Sequence, residues 1–236
     1  MEKKTKDKHG ISGQLEKIRS ETKQYEQLKN RCNQLESEVA QNYRNLQKIT
    51  EGIVNIVSKV IETRDPYSEG HHGRVAKLAI AIAAEMKLSE KRIDGIKFSS
   101  MIHDLGKVSL PTDIVSKPGK LFEVEFNLIK NHPNVGYEIL KKIEFPWPVA
   151  EIVLQHHEKI DGSGYPQGLK GNQILLEAKI ICIADVIESM SSSRSYRPAV
   201  SIDICLKEII ENKNKLFDSK AVDACVKLFK EKNFRF

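Results

Sequence analysis

The run KIICIADVI at residues 179–187 is apolar nearly all the way round when wound as a helix, interrupted only by Lys179 and Asp185. A helix of that kind belongs at the centre of a packed core, because a surface helix keeps one polar face. Working outward, shorter amphipathic stripes flank it. Val75, Leu78, Ala79, Ile82, Ala83 and Met86 recur at helical spacing and mark one buried face. Ile93, Ile96, Met101 and Ile102 suggest a second, residues 152–155 lead into a third, and 202–210 and 221–229 give two more. Glycine and proline punctuate the gaps and convincing strand alternation is absent, so residues 51–236 are expected to form an all-α domain.

Upstream the pattern changes. Between residues 11 and 60 the chain is polar and lacks proline, and Leu28, Cys32, Leu35, Val39, Asn42, Leu46, Ile49, Ile53, Ile56 and Val60 alternate at intervals of three and four. A 3.5-residue period held over about four heptads keeps one narrow seam facing a partner helix, which is the mark of a coiled coil. Asn42 is then the polar seam residue that fixes register, and two successive spacings of three between Thr22 and Leu28 make a stammer. Residues 1–50 are therefore expected to be a coiled-coil or linker helix that pairs the chain as a parallel homodimer. A single long helix folded back on the domain is the alternative. Gly10 and Gly13 predict a frayed start.

Composition narrows the function classes. With 236 residues and an apolar fraction of 40%, the chain can bury a real core. The formal charge of +6 comes in part from lysine-rich termini, and no helix clusters basic with base-reading residues, so a nucleic-acid polymer is not an expected partner. No run approaches the roughly 18–20 apolar residues of a membrane span, and the lysines at 3–8 lead into no apolar signal core. A cytoplasmic protein is expected. Cys32, Cys182, Cys205 and Cys225 are widely spaced, which argues against a disulfide framework or a zinc ribbon.

The chemistry lies where histidines meet aspartates at helix ends. His103 and Asp104 close an apolar helical stretch, and Gly106 lets the chain turn so that both side chains can enter one cavity. His156 and His157 end another apolar run ahead of the loop DGSGYP, while His71, His132 and Asp185 lie far off in sequence. A lone histidine is more often a capped or surface residue than a ligand. Asp104 and Asp185 differ, because each sits among apolar neighbours and a buried carboxylate needs a cation or a hydrogen-bond donor. Two such carboxylates with two histidine pairs suggest a metal centre. Imidazole and carboxylate without thiolate suit iron or manganese, with zinc and nickel also compatible. With one carboxylate bridging, two divalent ions would share a hydroxide that is nucleophilic at neutral pH and would neutralise a phosphate, as phosphodiester hydrolysis requires.

Six segments in order now point to one family: RDPYSEGHHGRVA at 64–76, MIHDLGKVSLP at 101–111, KPGKL at 117–121, NHPNVGYEIL at 131–140, HHEKIDGSGYPQGL at 156–169 and IADVIESMSSSRSYRP at 183–198. The chain resembles an HD-GYP domain, the cyclic di-GMP phosphodiesterase branch of the HD superfamily of metal-dependent phosphohydrolases. The resemblance implies an HD-superfamily helical domain in which His71, His103, Asp104, His132, His156, His157 and Asp185 are metal ligands and Asp104 bridges. It implies that Lys107 contacts the scissile phosphate or assists the leaving group, and that Arg194 and Arg197 engage the nucleotide's phosphates or base. Without the resemblance, Lys107 would be a surface lysine and the two arginines a compensation of helix C-terminal charge. Gly164, Tyr165 and Pro166, by resemblance, shape the substrate site and contact GGDEF-type cyclases; as bare physics they are a glycine-rich turn with one exposed aromatic. By the same resemblance, a helix like the N-terminal one connects such a domain to a sensor or receiver module or pairs two catalytic domains.

His9 and His72 are left unused. Relatives that hold three metals place a glutamate four residues before the first ligand histidine, where this chain has Tyr67. Glu69, two residues before His71, is expected to point elsewhere, and Glu62 is only a distant candidate. Two metals are therefore expected. The activity implied is hydrolysis of cyclic di-GMP to linear pGpG and on to GMP. The alternatives are a non-catalytic or slow cyclic-dinucleotide receptor or interaction module, and a hydrolase of another cyclic dinucleotide or of a nucleoside triphosphate.

Overall fold

A computed structural model of the chain describes residues 3–64, 69–117, 119–193 and 198–236, with side chains from residue 14 onward. Its helices in chain order are α1 (Lys3–Glu62), α2 (His71–Glu85), α3 (Glu90–Ile102), α4 (Thr112–Val115), α5 (Glu123–Ile129), α6 (His132–Leu140), α7 (Val149–Gln155), α8 (Leu176–Ser191), α9 (Ile202–Glu211) and α10 (Ser219–Glu231). Short 3₁₀ turns cover Leu105–Ser109 and Gly171–Gln173. Among the described residues there is no strand, only isolated bridges joining Asp161 to Lys170 and Lys213 to Phe217. The all-α reading holds.

The chain divides between Gly52 and Ile53 into two compact units. The described part of the first is the stretch of helix α1 from Lys3 to Gly52, without a break. Its backbone is helical from Lys3, so Gly10 and Gly13, each costing about 1 kcal/mol relative to alanine, do not fray it. Leu28, Leu35, Val39 and Leu46 are exposed along it.

The second unit is built around α8. Ile180, Ile181, Ile183, Ala184 and Ile187 are fully buried there. Each such isoleucine contributes about 1.5–3 kcal/mol by leaving water, which is why the all-round apolar run becomes the central helix. Helices α2, α3, α7, α9 and α10 pack on α8, and α2 packs on α3 and α10. Cys182, Cys205 and Cys225 are buried in this core and form no disulfide. A smaller cluster of Val54, Ile102, Leu140, Val149, Ala150 and Val153 ties the last turns of α1 to α3, α6 and α7. It fixes the ends of α3 and α7, where His103 and His156 stand.

Helices α5 and α6 gave no stripe in the sequence. Val124, Phe126 and Leu128 of α5 are exposed, so no buried face imposes a helical period. Helix α6 is short and is started instead by Pro133, whose fixed φ suits the first turn. Gly106 also has a different reason from the expected turn. A side chain there would place its Cβ 1.8 Å from the carbonyl oxygen of His132, so glycine is what lets α6 lie against the His103–Asp104 corner.

Candidate metal centre

Helix ends deliver most of the donors. His71 and His132 open α2 and α6, His103 and His156 cap the C-termini of α3 and α7, and His157 follows directly. Asp104 begins the 3₁₀ turn and Asp185 lies within α8. They converge in two groups with donor atoms within 4.8 Å of one another: Asp104 with His132, His156 and His157, and His71 with His103 and Asp185. Asp104 stands between them. Its Oδ1 is 3.2 Å from His132 Nε2 and 4.0 Å from His156 Nε2, and its Oδ2 is 3.5 Å from His103 Nε2 and 3.9 Å from His71 Nε2.

One local device aims three of these imidazoles. His103 Nδ1 donates to the Ser100 carbonyl at 2.8 Å, His132 Nδ1 to Ile129 at 2.7 Å and His156 Nδ1 to Val153 at 2.6 Å. Each acceptor is the carbonyl three residues back. A carbonyl only accepts, so the proton sits on Nδ1 and the Nε2 lone pair faces inward. Fixing the ligand nitrogen through the other ring nitrogen is how proteins prepare histidine for a metal.

The inward atoms then confront one another. His132 Nε2 and His156 Nε2 are 3.3 Å apart with no proton available between them. His103 Nε2, His72 Nε2 and Asp104 Oδ1 are buried without any hydrogen-bond partner. Each such orphan costs about 1–3 kcal/mol. A cation supplies the partner that all of them lack, so the residues present fit divalent metal ions.

The electrostatics of the two groups differ. His71 is flanked by two carboxylates: Asp185 Oδ1 lies 3.3 Å from Nε2, and Glu188 makes a short hydrogen bond to Nδ1. Burial acts to lower its pKa, but the bonds to Asp185 and Glu188 outweigh this and raise it to about 9. Burial pushes His103 down to about 4. Burial, followed by repulsion from neighbouring histidines, holds His156 and His157 well below the usual histidine value. Asp104 and Asp185 both resist the upward pull of burial and stay well below the usual carboxylate range, Asp104 through the Lys107 ammonium and His103, Asp185 through its bond to His71. Lys107 Nζ is 2.7 Å from Asp104 Oδ2 and its side chain remains partly exposed.

Three residues that sequence reasoning passed over belong to the site. Glu188, fully buried, also receives Arg74 Nε at 2.8 Å and Ser192 Oγ at 2.8 Å, so it orients His71 from behind. Its signal was available: a second carboxylate three residues after Asp185 shares that helix face. Glu158 is buried and accepts from the backbone nitrogens of Gln167 and Leu169, at 2.7 and 3.1 Å, pinning the loop that carries Gly164, Tyr165 and Pro166. His72 is the third, with Nε2 3.7 Å from Asp104 Oδ2.

Other expectations need correction or placement. Tyr165 is half-buried rather than exposed, its ring stacked on His157 with centroids 4.8 Å apart, because the loop folds over the histidine pair. Gly164 makes that path feasible, since a Cβ there would come within 2.4 Å of the Lys159 backbone nitrogen. Glu69 points to Lys59 at 3.1 Å. Glu62 is occupied at the start of α2, accepting from Gly70 N at 3.1 Å and His72 N at 3.4 Å. Arg194, Arg197 and Tyr67 lie outside the described residues.

A family model described as HD domain matches residues 55–221. The chain belongs to the HD-domain family. Among its relatives is the cyclic di-GMP phosphodiesterase response regulator RpfG of Xanthomonas campestris, 35% identical over 206 residues that make up 86% of this chain and 54% of that protein. A cyclic di-GMP phosphodiesterase of Thermotoga maritima is 38% identical over 76% of this chain and 49% of its own length. These relatives bear out the HD-GYP resemblance. This HD domain also superposes on the crystal structure of a cyclic GMP-AMP-specific phosphodiesterase of Vibrio cholerae with a TM-score of 0.51 at 27% identity, covering 79% of this chain and 42% of that one. The chain spans about half the length of the curated relatives it matches. Among the described residues no helix is long and apolar enough to cross a membrane.

Proposed function

We propose that this chain is a metal-dependent phosphodiesterase that opens cyclic di-GMP to linear pGpG and carries it on to GMP. The observation that supports this reading most is the placement of Asp104, whose two oxygens face different histidine groups and suit it to bridge a pair of ions. On this reading His71, His103 and Asp185 hold one ion, and His132, His156 and His157 hold the other, with iron or manganese favoured by the donor set and zinc or nickel compatible with it. Two bound divalent ions would supply a hydroxide nucleophile and neutralise charge on the phosphate.

The chain's own groups complete the chemistry. Histidines kept neutral by burial offer lone pairs rather than protons at neutral pH. Lys107, paired with Asp104 yet partly exposed, would turn its ammonium toward a phosphate oxygen or the departing ribose oxygen. Arg194 and Arg197 would hold a second phosphate or a base, since a guanidinium fork matches phosphate geometry. Tyr165, stacked on His157, offers a ring edge at the rim for a purine.

The test is anaerobic purification with metal analysis, followed by chromatography of cyclic di-GMP incubated with the same sample. About two ions per chain with pGpG or GMP formed is the expected result, and metal-free active protein overturns the mechanism. A second substrate, cyclic GMP-AMP, is favoured by the likeness to the Vibrio cholerae structure, and the same chromatography run with both dinucleotides decides between them. Two ions without turnover of either would indicate a receptor.

The exposed seam of α1 supports a homodimer through a parallel coiled coil, because Leu28, Leu35, Val39 and Leu46 need a partner to leave water. Replacing Leu35 and Leu46 by aspartate should give monomers by light scattering. The same helix would connect the domain to a sensor or receiver module, and the loop around Tyr165 would meet a GGDEF-type cyclase. Cysteines that form no disulfide among the described residues suit work in the reducing cytoplasm.

A further inference from the structure

His72 is 1% exposed, yet nothing in the fold satisfies its inner nitrogen. Its outer nitrogen is well held: Nδ1 lies 2.9 Å from Ser58 Oγ and 3.5 Å from Glu62 Oε1, both on the last turns of α1. A carboxylate beside Nδ1 favours the proton there, which leaves the Nε2 lone pair pointing into the centre. There it meets Asp104 Oδ2 at 3.7 Å, too far for a hydrogen bond. Two donors bound about 2.0–2.2 Å from one ion stand roughly 3–3.5 Å apart, so the gap is close to what a shared cation requires. His72, His103 and Asp104 also bring donor atoms within 4.8 Å of one another, and all three carry a buried atom without a partner.

We propose that His72 is a metal ligand, bound through Nε2 to the divalent ion on the His103 side of Asp104. This rests on the two-ion reading given above. His103 decides between a shared ion and a third one. It groups with His71 and Asp185 and equally with His72 and Asp104, but its single inward lone pair serves one ion only. That ion therefore takes His71, His72, His103, Asp104 and Asp185, whereas the other takes Asp104, His132, His156 and His157. The more open position for water and phosphate is then on the His132 side. Ser58 and Glu62 position His72, which makes the end of α1 part of the metal centre's outer support.

The test is titration of the full metal-free chain with cobalt(II) in chelator buffers, comparing the unaltered protein with His72→Ala and Asp104→Ala. The expected result is two ions per chain with and without His72, one of them bound at least ~10-fold more weakly in His72→Ala. Its visible absorption should strengthen as that ion loses a ligand. Unchanged affinities and spectrum overturn the proposal, and so does a third ion in the unaltered protein that His72→Ala loses. Retention of both ions by Asp104→Ala defeats the bridging role given to Asp104, an outcome separate from the His72 assignment, which the His72→Ala titration alone decides. As a check that needs no variant, anomalous scattering from manganese-loaded crystals should place an ion about 2.0–2.4 Å from His72 Nε2. A nearest ion beyond 3 Å overturns the assignment.

Discussion

The two sides of Asp104 use the same imidazole chemistry in opposite electrostatic settings. On the side of His71, two further carboxylates close in, and the histidine between them is lifted to about 9. On the side of His132, His156 and His157, Asp104 is the carboxylate in the group, and burial with mutual repulsion keeps His156 and His157 neutral. The first side must release a proton before a metal can take Nε2, while the second presents lone pairs that already repel one another at 3.3 Å. One carboxylate residue is thus asked to reconcile a site rich in negative charge with one poor in it.

The largest effect is expected where the sides meet. Asp104→Ala should lose both ions and cut activity by more than ~10³-fold, since several kcal/mol of transition-state stabilisation go with them. A variant that kept one ion in metal analysis would show that Asp104 serves one side alone. Next is Glu188→Gln, which loosens His71 from behind and should weaken its ion by ~10–100-fold in chelator titrations. The His132 side should be untouched, and equal weakening of both would erase the contrast.

Acidity sharpens the contrast further. Metal uptake at the His71 side should strengthen as pH rises from 6.5 toward 9 and should release about one proton per ion at neutral pH, measured by calorimetry in buffers of differing ionisation enthalpy. Uptake on the other side should stay flat across this range and weaken only well below 6.5, where His156 and His157 begin to take up protons. Without metal, the same shifts govern folding. The raised His71 stabilises below pH 6.5, and that contribution is lost as pH climbs through 9. The depressed His103, His156 and His157 act the other way, contributing above 6.5 and losing that contribution as pH falls through their lowered values, about 4 for His103, because the unfolded chain binds protons there that the folded one refuses. Urea melts at pH 5, 7 and 9 should therefore give the most stable metal-free protein near neutrality. The smallest effect is expected from Tyr165→Leu, which removes the ring stacked on His157 and should cost about 0.5–1.5 kcal/mol in a urea melt, with the His71 side unaffected.

Helices α2, α3, α7, α8, α9 and α10 were legible because each buries a continuous face, and burial writes a period into the sequence. Helix α5 was not, since its apolar residues stay exposed and obey no period. The seven proposed ligands stood out through helix-end positions, buried aspartates and the ordered motifs that match a known family. Glu188 and Glu158 were missed for a different reason: each works through partners distant in sequence or on a loop, and although Glu188 shares a helix face with Asp185, its meeting with His71 lies 117 positions away in the chain.

By itself the sequence determined the helical class, the apolar seam of α1 and the candidate donors, because side-chain periodicity and residue chemistry are local properties. Only the tertiary structure decided how those donors divide about Asp104. It also decided that His72, adjacent to His71 and left without a role by the sequence, turns inward. That outcome depends on Ser58 and Glu62 meeting the start of α2 and on the His103–Asp104 corner lying opposite, contacts that packing creates and spacing cannot encode.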